Sequence, residues 1–253
     1  MVVGAERLVR QQGIATAILF GYYLITCLVI PMSLRAWRRI PDEVVRKVQH
    51  VGYGMSIWIL LELFPNWYQA VAGAFVLVVV ALPALLLLER WRGYARYFPD
   101  RARRGGELRK SMWWVQLSFA VLLAAFWGVG GDGAKYLVAA GVMAWTFGDA
   151  AAALVGKFLG RHRVRLWMVD KHKTEEGTVA MGVLAFAALV GTLLIYGGLT
   201  WWVGILAAAV AAAVAAMVEL YSRNGTDTLT VPTITAFAVL AVVWFTRWVG
   251  AWA

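Results

Sequence analysis

Apolar runs and short polar breaks alternate along nearly the whole chain. Eight apolar runs can be drawn, at 12–32, 48–64, 67–88, 112–130, 136–159, 178–198, 200–220 and 231–249. Most reach the roughly 20 residues that a helix needs to cross a hydrocarbon core. A segment in lipid must satisfy its own backbone hydrogen bonds, so runs of this kind predict helices and not open strands. The pattern therefore predicts an all-α, polytopic integral membrane protein with about eight transmembrane helices, forming a single transmembrane domain over 1–253. The breaks fall into two sets. Those at 64–66, 128–135 and 197–199 are short and mostly rich in glycine, as tight turns between antiparallel helices are. Those at 33–47, 89–110, 157–173 and 221–230 are polar and mostly longer.

Composition agrees with the pattern: 62% of the 253 residues are hydrophobic and 15% charged, where soluble domains run near 45–50% and 25%. The net charge of +10 would suggest nucleic acid in a soluble protein. Here 20 of the 24 Lys and Arg residues lie in the second set of breaks. The positive-inside rule places those breaks in the cytoplasm and both termini outside, so topology accounts for the charge and no nucleic-acid partner is expected. In a prokaryote the membrane would be the cell membrane. The first run is longer than a signal-peptide core and reads as a retained helix. Cys27 is the single cysteine, which rules out an intrachain disulfide. Trp58, Trp67, Tyr68, Trp91, Trp113, Trp114, Trp127, Trp201, Trp202, Trp244 and Trp248 fall near run ends, as an interfacial aromatic belt does. Segment 89–110, with Tyr94, Tyr97 and Phe98 among arginines, suits a helix lying on anionic headgroups. The alanine-rich run 207–217 reads as a helix-packing surface.

Against this background the stretch 148–178 stands out. Asp149 lies within an apolar run, and a mid-bilayer carboxylate normally faces protein or a wet cavity. It heads a stripe of small residues, Ala152, Ala153, Gly156 and Gly160, at i+3, i+4, i+7 and i+11. Such a stripe can be a plain packing seam. A seam alone does not explain the cations that come after it in the chain: Lys157, Arg161, His162, Arg163, Lys171 and Lys173. Glu219, near the end of the seventh run, and Asp227 beyond it can converge with Asp149 on one cytoplasm-facing cavity. Carboxylates beside cations are what phosphoryl chemistry requires. Mg²⁺ binds through one or two carboxylates plus substrate phosphates, and Lys and Arg neutralise phosphate oxygens. Thr174 and Gly177 stand where the sixth run begins, at a helix start whose amides can approach an anion. Arg46 and His50 share a helix face at i, i+4, with Lys47 beside them.

These residues resemble the signature of the family of dolichol kinase, phytol kinase and related polyprenol kinases. Gly148-Asp149-Ala150-Ala151-Ala152, then Gly156-Lys157 and Gly160, then Lys173-Thr174-Glu175-Glu176-Gly177-Thr178 match the family pattern G-D-x-x-A…G…G…K-[ST]-x-E-G-[ST]. Arg46 to His50, "RKVQH", resembles its R-K-x-x-H, and Glu219 to Pro232 resembles its late E…D-N-L-x-x-P element. The similarity spans roughly 43–232 and is dense only in the motif core 148–178. Two departures bear on the donor or acceptor more than on the reaction class. Asp227-Thr228-Leu229 replaces Asp-Asn-Leu, and Trp167-Met168 replaces a proline-containing approach to the lysine.

The resemblance implies a membrane kinase that transfers a phosphoryl group from a nucleoside triphosphate, characteristically CTP, to a long-chain isoprenoid alcohol, with Mg²⁺ as cofactor. It implies that Asp149 holds the metal or orients the alcohol, with Asp227 and Glu219 as further metal ligands. Lys157, Gly160, Arg161, Lys171, Lys173, Thr174 and Gly177 would bind the nucleotide, and Glu176 would order the loop or its waters. Arg46, Lys47 and His50 would face the substrate. The partners so implied are the lipid-soluble alcohol, the nucleotide and membrane lipids, with the active site facing the cytoplasm. Phosphatidate cytidylyltransferases share a distant D…G…K-x-x-E-G pattern, and the H-G-G…D-R-x-D element with which they close is not found here. An ion-coupled transporter would also keep carboxylates in the membrane, but transporters commonly show two related halves, and no repeat relates 1–125 to 126–253.

Overall fold

The structure, a computed structural model, describes residues 2–37, 40–90, 107–223 and 225–250. Among these residues every extended element is helical, and the sole β pairing is one bridge between Arg163 and Thr174. The basic stretch 91–106, with Trp91, Tyr94, Tyr97 and Phe98, lies outside the described residues, as do Arg38 and Arg39. Internal contacts divide the chain into two units, Met1–Gly128 and Val129–Ala253.

In the first unit, α1 (Val2–Leu24) runs through a π-helical turn, Ile25–Val29, into α2 (Ile30–Ala36). The π turn frees the Cys27 carbonyl, which accepts from the Gln49 side-chain amide at 3.1 Å. Tyr22 and Tyr23 tie the same stretch to Gly52 O and Ser56 Oγ, each at 2.7 Å. Next come α3 (Asp42–Met55), α4 (Ile57–Leu63), α5 (Trp67–Arg90) and α6 (Glu107–Leu122), the last continued by a second π turn, Leu123–Gly128.

Six helices among the described residues are long and apolar enough to cross a membrane: Arg10–Ala36, Lys110–Gly128, Asp132–Phe158, Glu175–Tyr196, Trp201–Tyr221 and Asp227–Gly250. On that ground the chain is an integral membrane protein. The expected span at 48–64 is not among these six. Its helix starts earlier, at Asp42, so that Asp42, Glu43, Arg46 and Lys47 fall in its first two turns, and it breaks at Ser56. At 14 residues, α3 reaches only about 21 Å. The run at 67–88 is one helix, α5, of 24 residues, apolar from Ala70 to Leu88.

The second unit holds α7 (Lys135–Phe158), α8 (Glu175–Gly191), α9 (Trp201–Tyr221) and α10 (Asp227–Gly250). Each packs mainly on two others, in the cyclic order α7, α8, α9, α10. Neighbours run antiparallel, as the paired contacts Gly148–Met181 and Gly156–Gly177 show for α7 and α8. Small residues set the spacing. On α9, Ala207, Ala208, Ala211, Ala212, Ala215 and Ala216 are buried while Val210 and Met217 face outward, so the alanine run is the packing surface its composition suggested. Trp201, Trp202, Trp244 and Trp248 are exposed as belt residues should be, whereas Trp127 is buried.

On α7, a Cβ at Gly141 would collide with the Pro232 carbonyl of α10. Backbone cannot yield as a side chain can. Gly141→Val is therefore expected to lower stability by about 1–3 kcal/mol, read as an earlier thermal transition in detergent. Gly13→Ala, at a helical glycine with open space around it, should leave that transition in place or raise it.

Candidate active site

The polar cluster of the second unit grows from the loop joining α7 to α8. Helix α7 closes with Leu159 N donating to Val155 O at 2.8 Å. The chain then doubles back as a short hairpin. Glu175 N donates to His162 O at 2.9 Å, and Val164 N to Lys173 O at 3.1 Å, either side of the Arg163–Thr174 bridge. Farther out, Arg163 Nη1 donates to Lys171 O at 2.8 Å and His172 N to Asp170 Oδ1 at 2.9 Å. Lys157, Arg161, Arg163, Arg165 and Lys171 are all exposed around this hairpin.

Thr174 starts α8. Its extended backbone lets Oγ1 accept from Gly177 N at 3.2 Å, the usual threonine N-cap. The same side chain occupies the space beside Gly156 and Gly160, where a Cβ would press on Thr174. At Gly177 a Cβ would lie 2.9 Å from the Ala152 carbonyl. The two glycines named for nucleotide binding, Gly160 and Gly177, thus let α7, the hairpin and α8 approach closely. At the helix start expected to meet an anion, the amides of Glu175 and Gly177 donate to His162 O and Thr174 Oγ1.

Glu176 turns back onto the hairpin. Its carboxylate accepts from Arg161 N at 3.0 Å and His162 N at 3.1 Å, and Oε1 lies 2.7 Å from His162 Nδ1. One carboxylate so fixes the point where the chain leaves α7. His162 is a partner that the motif did not assign. Its sequence signal was weak, one histidine within a basic run.

Lys173 points the other way, to α9. Its ammonium donates to Glu219 Oε1 at 2.8 Å and also to the Glu219 carbonyl. That carbonyl belongs to the last turn of α9, where cations oppose the negative end of the helix dipole. The pair is largely shielded, with side chains 19% and 11% exposed. Lys173 and Glu219, assigned separately to phosphate and to metal, therefore meet each other.

Asp149 lies nine residues before the end of α7, about 14 Å along its axis, and is buried at 8% exposure. From the contact of Gly141 with Pro232, α7 runs eight residues to Asp149, about 12 Å, and α10 runs back five to Asp227, about 7.5 Å. The two carboxylates thus reach the same end of the helix pair within about 5 Å in level. Among the described residues no three His, Cys, Asp or Glu side chains form a ready metal cage. Mg²⁺ does not need one, because it takes one or two carboxylates and completes its shell with phosphate oxygens and water.

Arg46, Lys47 and His50 lie on α3 of the first unit. Arg46 pairs with Glu43 one turn earlier, a buried carboxylate that has no place in the motif. Lys47 is also buried, and His50 is partly so. The i, i+3 spacing of Glu43 and Arg46 was the signal for that pair.

Comparison with known proteins decides the family. Over 193 residues, 76% of each chain, the sequence is 33% identical to the phytol kinase of Synechocystis sp.. The chain belongs to the prenol kinase family. No family model and no solved structure matches it. For a prenol kinase relative, the arrangement is chemically coherent: a buried carboxylate, Asp149, and the helix-start carboxylate Asp227 at the end of a helical unit that also carries the basic hairpin.

Proposed function

We propose that this chain transfers the γ-phosphoryl group of a nucleoside triphosphate, CTP, to the hydroxyl of a long-chain isoprenoid alcohol. The observation that carries this reading is the 33% identity with a phytol kinase across 76% of both chains. The placement of the signature residues supports it, since Asp149, Lys173, Glu176, Glu219 and Asp227 all belong to the loop-bearing end of one helical unit.

Phosphoryl transfer asks a protein mainly for positioning and for charge opposite the equatorial oxygens. In this reading Lys157, Arg161, Lys171 and Lys173 neutralise the triphosphate, and Glu176 holds the hairpin that carries Arg161 and Lys171. Asp149 and Asp227 would hold Mg²⁺, which would supply positive charge opposite the phosphate oxygens. Asp149 also lies deep enough to orient an alcohol that enters from lipid between helices, while the nucleotide arrives from the cytoplasm. Glu219 keeps Lys173 from being buried alone, and Arg46, Lys47 and His50 would meet the substrate from α3. The hydroxyl oxygen forms the new bond to phosphorus, the bond to the β-phosphate oxygen breaks, and the nucleoside diphosphate leaves.

The donor is tested by thermal shift with CTP, ATP, GTP and UTP, each with and without Mg²⁺. Stabilisation by CTP that requires Mg²⁺ is expected, and an unchanged transition with all four refutes a nucleotide site. Product analysis separates neighbouring chemistries: a nucleoside diphosphate is expected, and pyrophosphate would instead indicate cytidylyl transfer. Glu176→Gln should loosen the hairpin. The expected signs are faster hydrogen exchange at the Arg161 and His162 amides and a rise in nucleotide KM on the order of tenfold.

A further inference from the structure

The outer turn of the α7–α8 loop carries an apolar tip that the proposed chemistry does not use. Leu166, Trp167 and Met168 are 52%, 88% and 51% exposed, three consecutive large side chains with almost no cover. The turn is closed by Val169 N donating to Leu166 O at 3.2 Å, and Val169 itself is buried. Met168 takes a φ of +73°, a left-handed value normally left to glycine or asparagine. The chain therefore keeps a bulky apolar residue at a position where a small one would be less strained, and points it outward. Arg163 and Arg165 precede the tip, both exposed.

We infer that this tip is an interfacial anchor: Leu166, Trp167 and Met168 enter the headgroup layer of an anionic bilayer surface, and Arg163 and Arg165 meet its lipid phosphates. Two observations choose the bilayer over a soluble partner. The loop leaves the ends of two helices long and apolar enough to span, Asp132–Phe158 and Glu175–Tyr196. The last backbone pair of the hairpin is Val164 with Lys173, so the tip lies three residues from it, a reach of at most about 10 Å. The two helices run antiparallel, so the loop leaves and re-enters one face of the membrane and its turn stays tethered beside that face's headgroup layer. Tryptophan partitions to that layer, and neighbouring cations add attraction to anionic lipid. Anchored in this way, the hairpin would hold its outer half against the membrane whichever nucleotide the protein uses.

The test uses the full chain in nanodiscs, with an environment-sensitive fluorophore on Trp167→Cys in a Cys27→Ala background. Met168→Cys serves as a second labelling position should the first variant fold poorly. In discs containing phosphatidylglycerol, the label is expected to shift to the blue, to be quenched by lipids bearing a nitroxide high on the acyl chain, and to resist aqueous iodide. High salt or neutral phosphatidylcholine discs should weaken all three effects. Arg163→Gln and Arg165→Gln should each lower the docked-to-undocked ratio about fivefold. A label that stays iodide-accessible and unquenched by lipid in both kinds of disc overturns the inference. So does a label that becomes shielded only when CTP is added, which would make the tip a nucleotide contact.

Discussion

Asp149→Asn is expected to reduce phosphoryl transfer at least about 100-fold while leaving the protein folded. Loss of a charge aimed at the reacting group commonly costs a factor of 10²–10³. The stability side runs opposite to that of most buried substitutions. Asp149 is 8% exposed in the helix Lys135–Phe158, and a carboxylate at mid-bilayer depth costs about 2.5–3.5 kcal/mol on insertion scales. Asparagine keeps the shape and removes the charge, so the thermal transition should hold or rise. Activity and melting measured on the same preparation check both halves. An inactive Asn variant that also melts early would mean that Asp149 serves packing alone.

Lys173→Ala should damage stability and activity together. Lys173 joins the hairpin to the end of α9 through the Glu219 carboxylate and carbonyl. Truncation leaves Glu219, 9% exposed, without that partner. Removing one member of a buried pair costs 3–5 kcal/mol, and the partial exposure here brings the expected loss to about 1–3 kcal/mol. Transfer should fall about 100-fold or more, because the lysine is also a signature cation held inside the cluster. Glu219→Gln separates the two effects. Added to Lys173→Ala it neutralises the stranded carboxylate, so it should recover much of the stability while transfer stays low. A double-mutant cycle of Lys173→Ala and Glu219→Gln should show coupling. Strict additivity would mean that the contact contributes nothing.

Helical spacing alone made much of this end of the molecule legible. The stripe Asp149, Ala152, Gly156, Gly160 is read directly from 3.6-residue periodicity, and in the fold Gly156 and Gly160 lie against Thr174 while the Ala152 carbonyl meets Gly177. Periodicity describes one helix, however, and not the register between two. Lys173 and Glu219 are 46 residues apart, and nothing local says that they touch. Thr174 caps its own helix, and a cap that also meets a ligand has the same sequence pattern, so local sequence does not separate the two. The run at 48–64 is absent from the six long apolar helices for a related reason. Its apolar residues are real, but Asp42 and Glu43 favour a helix start ahead of them, and Ser56 divides the whole stretch from Asp42 to Leu63 into pieces of 14 and 7 residues.

The most direct measurement follows the γ-phosphate. Purified protein in proteoliposomes is given Mg²⁺, a panel of prenols, and CTP labelled at either the γ or the α phosphorus. A prenol kinase moves γ label, and never α label, into the organic phase as a prenyl monophosphate, with one CDP formed per product. Alpha label in the lipid, or no lipid-borne label with any nucleotide and prenol, would contradict it.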